Sequence, residues 1–219
     1  MNDKEFDKIY ELVDSGEYAL AREAIDEALK ADETDLDAHK LMALCEVNLE
    51  NYESARSILE NVVKYRPDDA LIWYYLGCCY DNLGDLISAK HAYLHVLELR
   101  PEYIDAFRSL AIVYIKAEKF DEAIETAKKA LELVKDDYSL YYVLGTACMA
   151  AKMFEDSVTY IEKAIELNPE NLQLYNNLGT SYLTIGNLDM AFKTYEKALK
   201  IDPSSYNAWF NLAHIYCII

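Results

Sequence analysis

The stretch WYYLGCCYDNLGDLISAKHAYLHVLELRP, residues 73–101, contains the features that decide the fold of this chain. Its first half places Trp73, Gly77 and Tyr80 three and four positions apart, which is the spacing of one helix face. Its second half repeats this spacing and ends at Pro101, which lacks the N–H donor that a continuing helix needs. The segment therefore predicts two helices joined by a short turn.

The same pattern recurs with a period of 34 residues. All four prolines of the chain lie on one such lattice, at Pro67, Pro101, Pro169 and Pro203. The six glycines lie on two further phases, at Gly77, Gly145 and Gly179, and at Gly16, Gly84 and Gly186. A fixed period of this length is the signature of repeat proteins. It predicts one array of six units and a terminal half-unit: 2–35, 36–69, 70–103, 104–137, 138–171, 172–205 and 206–219.

Small residues and helix caps agree with this division. The second half of each unit carries a small residue at one phase, namely Ala21, Ala55, Ala89, Ala123, Ser157 and Ala191. Small residues let two helices approach closely, so each unit is expected to pack as an antiparallel hairpin. The end of five units provides a residue that caps helices well: Asp35, Asp69, Asp137, Asn171 and Ser205. The sequence thus predicts an all-α chain.

These residues resemble a known repeat family. The motif Trp-x-x-Leu-Gly-x-x-Tyr at residues 73–80, followed by Ala89, Tyr93 and Pro101, is similar to the tetratricopeptide repeat almost position for position. The resemblance covers the whole chain as a single array, 1–219. It implies a right-handed α-solenoid in which antiparallel helix pairs stack side by side.

Composition excludes several other classes of protein. A chain with 53% apolar residues, six Gly and four Pro is neither disordered nor collagen-like. The net charge of −18 argues against nucleic acid or an anionic membrane as the main partner. No apolar stretch reaches the roughly 18 residues of a membrane span. The acidic start is unlike a signal peptide, and five Cys without metal spacing suit a reducing compartment. We therefore expect a cytoplasmic protein.

Catalytic arrangements are not found in the sequence. His91 and His95 have the spacing that can bring two imidazoles to one metal, but a zinc site needs three or four ligands, so a surface pair is the better interpretation. Cys78 and Cys79 lie in an acidic region that does not favour a reactive thiolate. We expect no enzyme activity, no cofactor and no metal.

The resemblance also implies where a ligand binds. In this family the first helices line a concave groove that holds extended or helical peptide segments. The corresponding positions here are Lys40, Leu44, Tyr74, Tyr75, Cys78, Arg108, Tyr142, Thr146, Asn176, Asn177, Phe210 and Asn211. Tyr and amide side chains combine apolar area with hydrogen-bonding ends, which suits protein recognition. Asn177 and Asn211 are one period apart, similar to the asparagine ladder of tetratricopeptide superhelices. Packing within the repeat is the alternative for Tyr74, Tyr75 and Tyr142.

The predicted function is a protein–protein interaction scaffold that binds a peptide segment of an unidentified partner. The alternative is the N-terminal recruiting module of a longer chain, such as a glycosyltransferase or another multidomain enzyme. Residues 206–219 carry no charged side chain. Three explanations stay open for this apolar end: further repeats that follow it, a natural closing helix, or self-association with another copy of the chain.

Overall fold

The structure, a computed structural model, describes residues 3–218, with side chains from Phe6 onward. This part of the chain forms thirteen α-helices and no strand. The helices are α1 Asp3–Asp14, α2 Tyr18–Ala31, α3 Leu36–Asn48, α4 Tyr52–Val62, α5 Ala70–Asn82, α6 Leu86–Leu99, α7 Ile104–Lys116, α8 Phe120–Leu133, α9 Tyr138–Ala150, α10 Phe154–Leu167, α11 Leu172–Ile185, α12 Leu188–Ile201 and α13 Tyr206–Ile218. Odd-numbered helices are the first helices of the predicted units, and even-numbered helices are the second. The predicted all-α fold is confirmed.

The predicted N-caps make the hydrogen bonds that start the first helices. Asp35 accepts from the backbone N–H groups of Asp37 and Ala38, both at 3.0 Å. Asp69, Asp137 and Asn171 cap α5, α9 and α11 in the same manner. At α13 the Ser205 hydroxyl oxygen accepts from the N–H of Ala208 at 3.5 Å. Each cap satisfies donors that the first turn of a helix leaves unpaired.

The turn inside each helix pair has one backbone conformation throughout. Its residue with positive φ recurs every 34 positions, at Gly16, Glu50, Gly84, Glu118, Lys152 and Gly186. Glycine adopts this conformation without a steric penalty, whereas a side chain there costs roughly 1–2 kcal/mol. Three repeats therefore carry backbone strain in the turn, and three do not.

Close helix packing explains the other glycines. A Cβ added at Gly77 would lie 2.6 Å from the ring of Tyr93 on α6. The same construction at Gly179 meets the Tyr195 ring at 2.5 Å, and at Gly145 it meets Ile161 at 2.5 Å. The small residues of the second helices, Ala21, Ala55, Ala89, Ala123, Ser157 and Ala191, are fully buried. These contacts show the hairpin packing that the sequence predicts.

The chain divides into two compact units, one up to Ser109 and one from Leu110 onward. In the first unit, consecutive helices from α1 to α6 pack against one another, and α3 also contacts α5. In the second unit, the same holds from α8 to α13, and α9 also contacts α11. The first helices α3 and α5 are thus neighbours in the first unit, and α9 and α11 are neighbours in the second. No helix in residues 3–218 has both the length and the apolar character needed to cross a membrane.

Candidate binding surfaces on the first helices

The predicted binding residues fall into two sets, one in each compact unit. The first-unit surface comprises Lys40 and Leu44 on α3, Tyr74, Tyr75 and Cys78 on α5, and Arg108 on α7. The second-unit surface comprises Tyr142 and Thr146 on α9, Asn176 and Asn177 on α11, and Phe210 and Asn211 on α13. Helix α3 contacts α5, and α9 contacts α11. The predicted residues on α3 and α5 therefore lie on adjacent helices, as do those on α9 and α11.

Tyr74 is the centre of an aromatic cluster in the first unit. Its ring centroid lies 5.7 Å from that of Tyr75, 5.8 Å from that of Tyr93 and 5.4 Å from that of Tyr103. These separations fall in the range in which tilted aromatic rings attract one another. Tyr74 and Tyr75 are half-buried, whereas Tyr93 is buried beneath them. The cluster gives the first-unit surface a rigid aromatic centre.

The thiol of Cys78 belongs to this cluster. Its sulfur accepts a hydrogen bond from the Tyr93 hydroxyl at 3.5 Å. Burial raises the pKa of Cys78 and outweighs the hydrogen bonds from Tyr93 and Tyr74, which act in the opposite direction. Burial likewise raises the pKa of Tyr75 to about 12. At neutral pH these groups are uncharged, so they offer contact area and hydrogen bonds instead of a nucleophile.

The basic residues of the first-unit surface pair with acids of the same unit. Lys40 Nζ lies 2.6 Å from Asp69 Oδ2, and Arg108 Nη1 lies 2.7 Å from Asp105 Oδ1. Burial alone would raise the pKa of Asp69, but the hydrogen bond and charge of Lys40, together with backbone N–H donors, lower it below its ordinary value. The surface is therefore locally neutralised by its own acids.

In the second-unit surface, Tyr142 is half-buried and packs against the cores on both sides of α9. The Thr146 hydroxyl donates to the Tyr142 carbonyl at 2.9 Å, within the same helix. One part of the Tyr142 ring is therefore covered by the core, and another part is open.

The asparagines of α11 and α13 differ in accessibility. Asn177 is 9% exposed, and its Oδ1 accepts from Nε2 of Gln173 at 3.1 Å. Asn211 is half-buried and donates from Nδ2 to the carbonyl of Asn207 at 2.9 Å. The Oδ1 atom of Asn176 is buried and accepts no hydrogen bond from any residue that the structure describes. Of the three amides, Asn176 has the unsatisfied acceptor.

Helix α13 exposes a face of large apolar side chains. Phe210 is 59% exposed and stacks on Tyr206 with a centroid separation of 6.0 Å. Trp209 and Tyr216 are also exposed, although the Trp209 indole N–H donates to the Pro203 carbonyl at 2.9 Å. In the other unit, the equivalent Trp73 is half-buried, and the His95 ring of α6 packs edge-on against it.

The structure adds residues that sequence reasoning did not assign to a binding surface. Tyr103 enters the aromatic cluster from the turn before α7. The His95 ring packs edge-on against Trp73 at 4.6 Å, and its Nδ1 lies 3.0 Å from Glu98 Oε2. Among the described residues, no three His, Cys, Asp or Glu side chains form a group that could hold a metal.

Antiparallel helix pairs with this period, and with glycine contacts between their helices, define a helical repeat protein. Models of the tetratricopeptide repeat match residues 12–78, 70–103, 108–171, 173–205 and 194–219. The chain belongs to the tetratricopeptide repeat family. A search of curated proteins finds no match to this sequence.

Solved structures with the same fold include a tetratricopeptide repeat protein from Parabacteroides merdae, with a TM-score of 0.81 at 17% identity, covering 99% of this chain and 86% of that one. MamA from Desulfovibrio magneticus RS-1 has a TM-score of 0.73 at 21% identity, and the match covers 79% of this chain and 98% of that one. YrrB, described as a tetratricopeptide repeat protein with an unusual peptide-binding site, has a TM-score of 0.68 at 21% identity. The match covers 87% of this chain and 98% of that one. At these identities the likeness shows the fold.

The family and the fold support a protein-interaction scaffold. Tetratricopeptide repeat proteins bind protein or peptide partners, and a fold of such repeats is typical of non-enzymatic scaffolds.

Proposed function

We propose that this protein is a scaffold that binds an extended peptide segment of a partner protein along its first helices. The observation that carries the proposal is the tyrosine cluster of the first unit, in which Tyr74 and Tyr75 stay half-exposed above the buried Tyr93. Rigid aromatic side chains with a polar end supply contact area at a small cost in conformational entropy, and they dominate many protein interfaces.

Asn176 supports recognition of the ligand's backbone in the second unit. A side-chain amide offers both a donor and an acceptor, so it can bind a peptide unit whatever side chain that unit carries. The Asn176 acceptor has no partner among the described residues, and leaving a buried acceptor unsatisfied costs about 1–3 kcal/mol. A peptide N–H that reaches Oδ1 after a small side-chain movement would remove that cost.

The charge of the two surfaces favours a ligand of mixed composition. Lys40 and Arg108 are held by Asp69 and Asp105, so neither surface presents a basic patch for an acidic tail. Structural likeness to YrrB, whose description includes a peptide-binding site, agrees with this class of ligand. A peptide with aromatic or aliphatic side chains and modest charge fits best.

Selection from a displayed library of random twelve-residue peptides tests the proposal. The chain is expected to enrich peptides whose affinity falls at least tenfold in the variant Leu44→Asp with Tyr75→Ala, or in Asn176→Ala. Matched controls are Tyr65→Ala and Asn61→Ala, which alter exposed residues outside both surfaces and are expected to leave binding unchanged. Binding that survives the surface variants, or that is lost in the controls, contradicts the proposal.

A second candidate function, self-association or the addition of further repeats, is favoured by the exposed face of α13. Phe210, Trp209 and Ile218 are each more than half exposed, and large exposed apolar patches mark interaction sites. Light scattering of the wild type and of Phe210→Asp with Ile218→Asp distinguishes the outcomes. A wild-type dimer that the variant converts to monomer supports self-association, and a monomeric mass for both chains rejects it.

A further inference from the structure

A cleft of about 510 Å³ lies between α5 and α6 and shares no residue with the first-unit surface. Its lining includes the rings of Trp73, Tyr80, His91 and His95 and the side chain of Glu98. The proposed peptide-binding function uses none of these five residues. The cleft is therefore a separate feature of the third repeat.

The polar ends of its two large aromatic side chains are already occupied within the protein. The Trp73 indole N–H donates to the Pro67 carbonyl at 2.7 Å, and the Tyr80 hydroxyl donates to Glu60 at 2.9 Å. Burial, and then this bond to the Glu60 carboxylate, raises the pKa of Tyr80 to about 12, so the phenol is neutral at physiological pH. What the two residues offer to the cleft is their aromatic rings.

The charge of the cleft suits a cation. Glu98 is largely exposed, with 74% of its side chain accessible, and its carboxylate is 3.0 Å from Nδ1 of His95. The chain as a whole carries a net charge of −18. A cation near an aromatic ring is attracted by the ring quadrupole, most strongly by that of Trp, and a carboxylate adds a direct ion pair. Aromatic rings and an acid together form a site for a basic group.

The fifth repeat shows what occupies the corresponding position when the chain supplies its own cation. One period is 34 residues, so Tyr141, Lys163 and Glu166 stand two periods after Trp73, His95 and Glu98. Lys163 Nζ lies 2.6 Å from Glu166 Oε2. The hydrogen bond and charge of Glu166 raise the pKa of Lys163, and Tyr141 contributes in the same direction.

The neighbouring repeats also have a lysine in place of the histidine, although Lys129 pairs with Glu125 and not with the acid three residues later. Lys129 and Lys197 occupy the position of His95 in the fourth and sixth repeats. In the third repeat, the shorter imidazole takes the place of the lysine chain beside the largest aromatic side chain, and the cleft is present there. The third repeat therefore has the aromatic ring and the acid of the fifth repeat without its lysine.

We propose that the cleft binds a lysine or arginine side chain of a partner polypeptide. The cation enters beside Trp73 and pairs with Glu98, as Lys163 of this chain does with Glu166 beside Tyr141. The proposal is independent of peptide binding along the first helices, since the two sets of residues do not overlap. One partner can engage both, with its basic residue lying outside the segment that the first helices hold.

Nuclear magnetic resonance of the two tryptophans tests the proposal directly. The chain has only Trp73 and Trp209, so its ¹⁵N spectrum contains two indole signals, which Trp209→Phe assigns. The probe is Nα-acetyl-arginine amide, and the neutral control is Nα-acetyl-citrulline amide. We expect the arginine probe to shift the Trp73 signal saturably, with a dissociation constant on the order of 10 mM, and to leave the Trp209 signal unmoved.

Two variants sharpen the test. His95→Lys gives the third repeat the lysine of the later repeats and is expected to abolish binding of the probe. Glu98→Gln is expected to weaken it at least fivefold, whereas Glu102→Gln, an exposed acid outside the cleft, is expected to have no effect. An unchanged Trp209 signal and circular dichroism spectrum show that each variant is folded.

Three results overturn the proposal. The first is an equal response to citrulline and arginine, and the second is an equal response of Trp73 and Trp209 to arginine. The third is unchanged binding in folded His95→Lys and Glu98→Gln chains. None of these results bears on the affinity of a peptide for the first helices, so failure here is distinct from failure of the proposed function.

Discussion

The third repeat, 70–103, and the sixth repeat, 172–205, share an interior and differ on their surfaces. In both, a glycine of the first helix lies against a tyrosine ring of the second, at Gly77 in one and Gly179 in the other. In both, the fourth residue is aromatic and donates a hydrogen bond to the proline carbonyl six residues earlier. The donor is the Trp73 indole N–H in the third repeat and the Tyr175 hydroxyl in the sixth. The repeat period therefore fixes the same contacts twice.

The exposed positions of these two repeats diverge. Tyr74 of the third repeat is the centre of an aromatic cluster, whereas the equivalent Asn176 of the sixth presents an amide. His95 lines an open cleft, whereas its equivalent is Lys197. These positions are half-buried or exposed and differ in residue type between the two repeats, whereas the glycine–tyrosine contacts of the interior do not. The comparison separates the contacts that make the fold from the positions that we propose for ligand binding.

The largest expected effect concerns the shared interior. Gly179→Leu is expected to destabilise the protein by about 2–4 kcal/mol, because even a Cβ there would lie 2.5 Å from the Tyr195 ring. Gly77→Leu is expected to cost a similar amount, and the free energy of unfolding in urea measures both. Ala31→Leu, at an exposed position, serves as the control. A neutral outcome at either glycine contradicts the claim that the two interiors are equivalent.

The next effect distinguishes two equivalent hydrogen bonds. The hydroxyl of Tyr182 donates to Glu162 at 2.6 Å and that of Tyr80 to Glu60 at 2.9 Å, but Tyr182 is the more buried of the two tyrosines. Tyr182→Phe is expected to cost about 1–2 kcal/mol, and Tyr80→Phe about half as much. Thermal unfolding compares the two variants. The reverse order would show that solvent exposure does not set the strength of this bond.

A smaller effect concerns the turns. Apart from the adjacent residues of the chain, no atom lies within 4 Å of a Cβ built at Gly84 or at Gly186, so substitution there tests mainly the backbone. Gly84→Ala and Gly186→Ala are each expected to cost about 1 kcal/mol, because φ is +83° at both. Glu50→Gly is expected to have the opposite sign, since φ is 62° there. Urea unfolding at a single pH decides whether the strain is real.

The smallest effect separates the helix caps of the two repeats. The sixth repeat is capped by the neutral Asn171, whereas the third is capped by Asp69, whose pKa is lowered against the tendency of burial by Lys40 and backbone donors. A carboxyl with a lowered folded-state pKa adds stability that is present above its unfolded value, about 3.9, and lost as the pH falls through the folded value.

Asp69→Asn is therefore expected to reduce the loss of stability between pH 5 and pH 2. Unfolding midpoints measured across this range check the expectation, and Asp68→Asn, at the neighbouring exposed position, is the control. If Asp69→Asn and the wild type lose the same stability between pH 5 and pH 2, the Asp69 carboxylate does not cause this loss, and the expectation is wrong.

Much of the fold could be predicted because each local sequence signal recurs in several repeats. Prolines, glycines and caps each recur in register, so one ambiguous unit is corrected by its neighbours. The strained turns at Glu50, Glu118 and Lys152 escaped prediction, although they share the phase of three glycines. Glu and Lys do not indicate a positive φ in a sequence, whereas the glycines at the same phase of the other repeats do.

The binding surfaces could be predicted only as helix faces. Asn176 and Asn177 were assigned to the same face, yet the structure buries Asn177 against Gln173 while Asn176 stays half-buried. One residue rotates a helix by about 100°, so a single phase does not settle which amide is accessible. The hydrogen bond between Lys40 and Asp69 joins the two ends of the second repeat, 29 residues apart, and a 34-residue period does not reveal it.

Photo-crosslinking tests the central claim most directly. A peptide selected by the chain is synthesised with benzoylphenylalanine at successive positions, irradiated with the wild-type protein, and the attachment sites are mapped by mass spectrometry. The account predicts attachment to first helices, at α3 and α5 in the first unit or at α9 and α11 in the second. Attachment confined to second helices, such as α4, α6, α10 or α12, would contradict it.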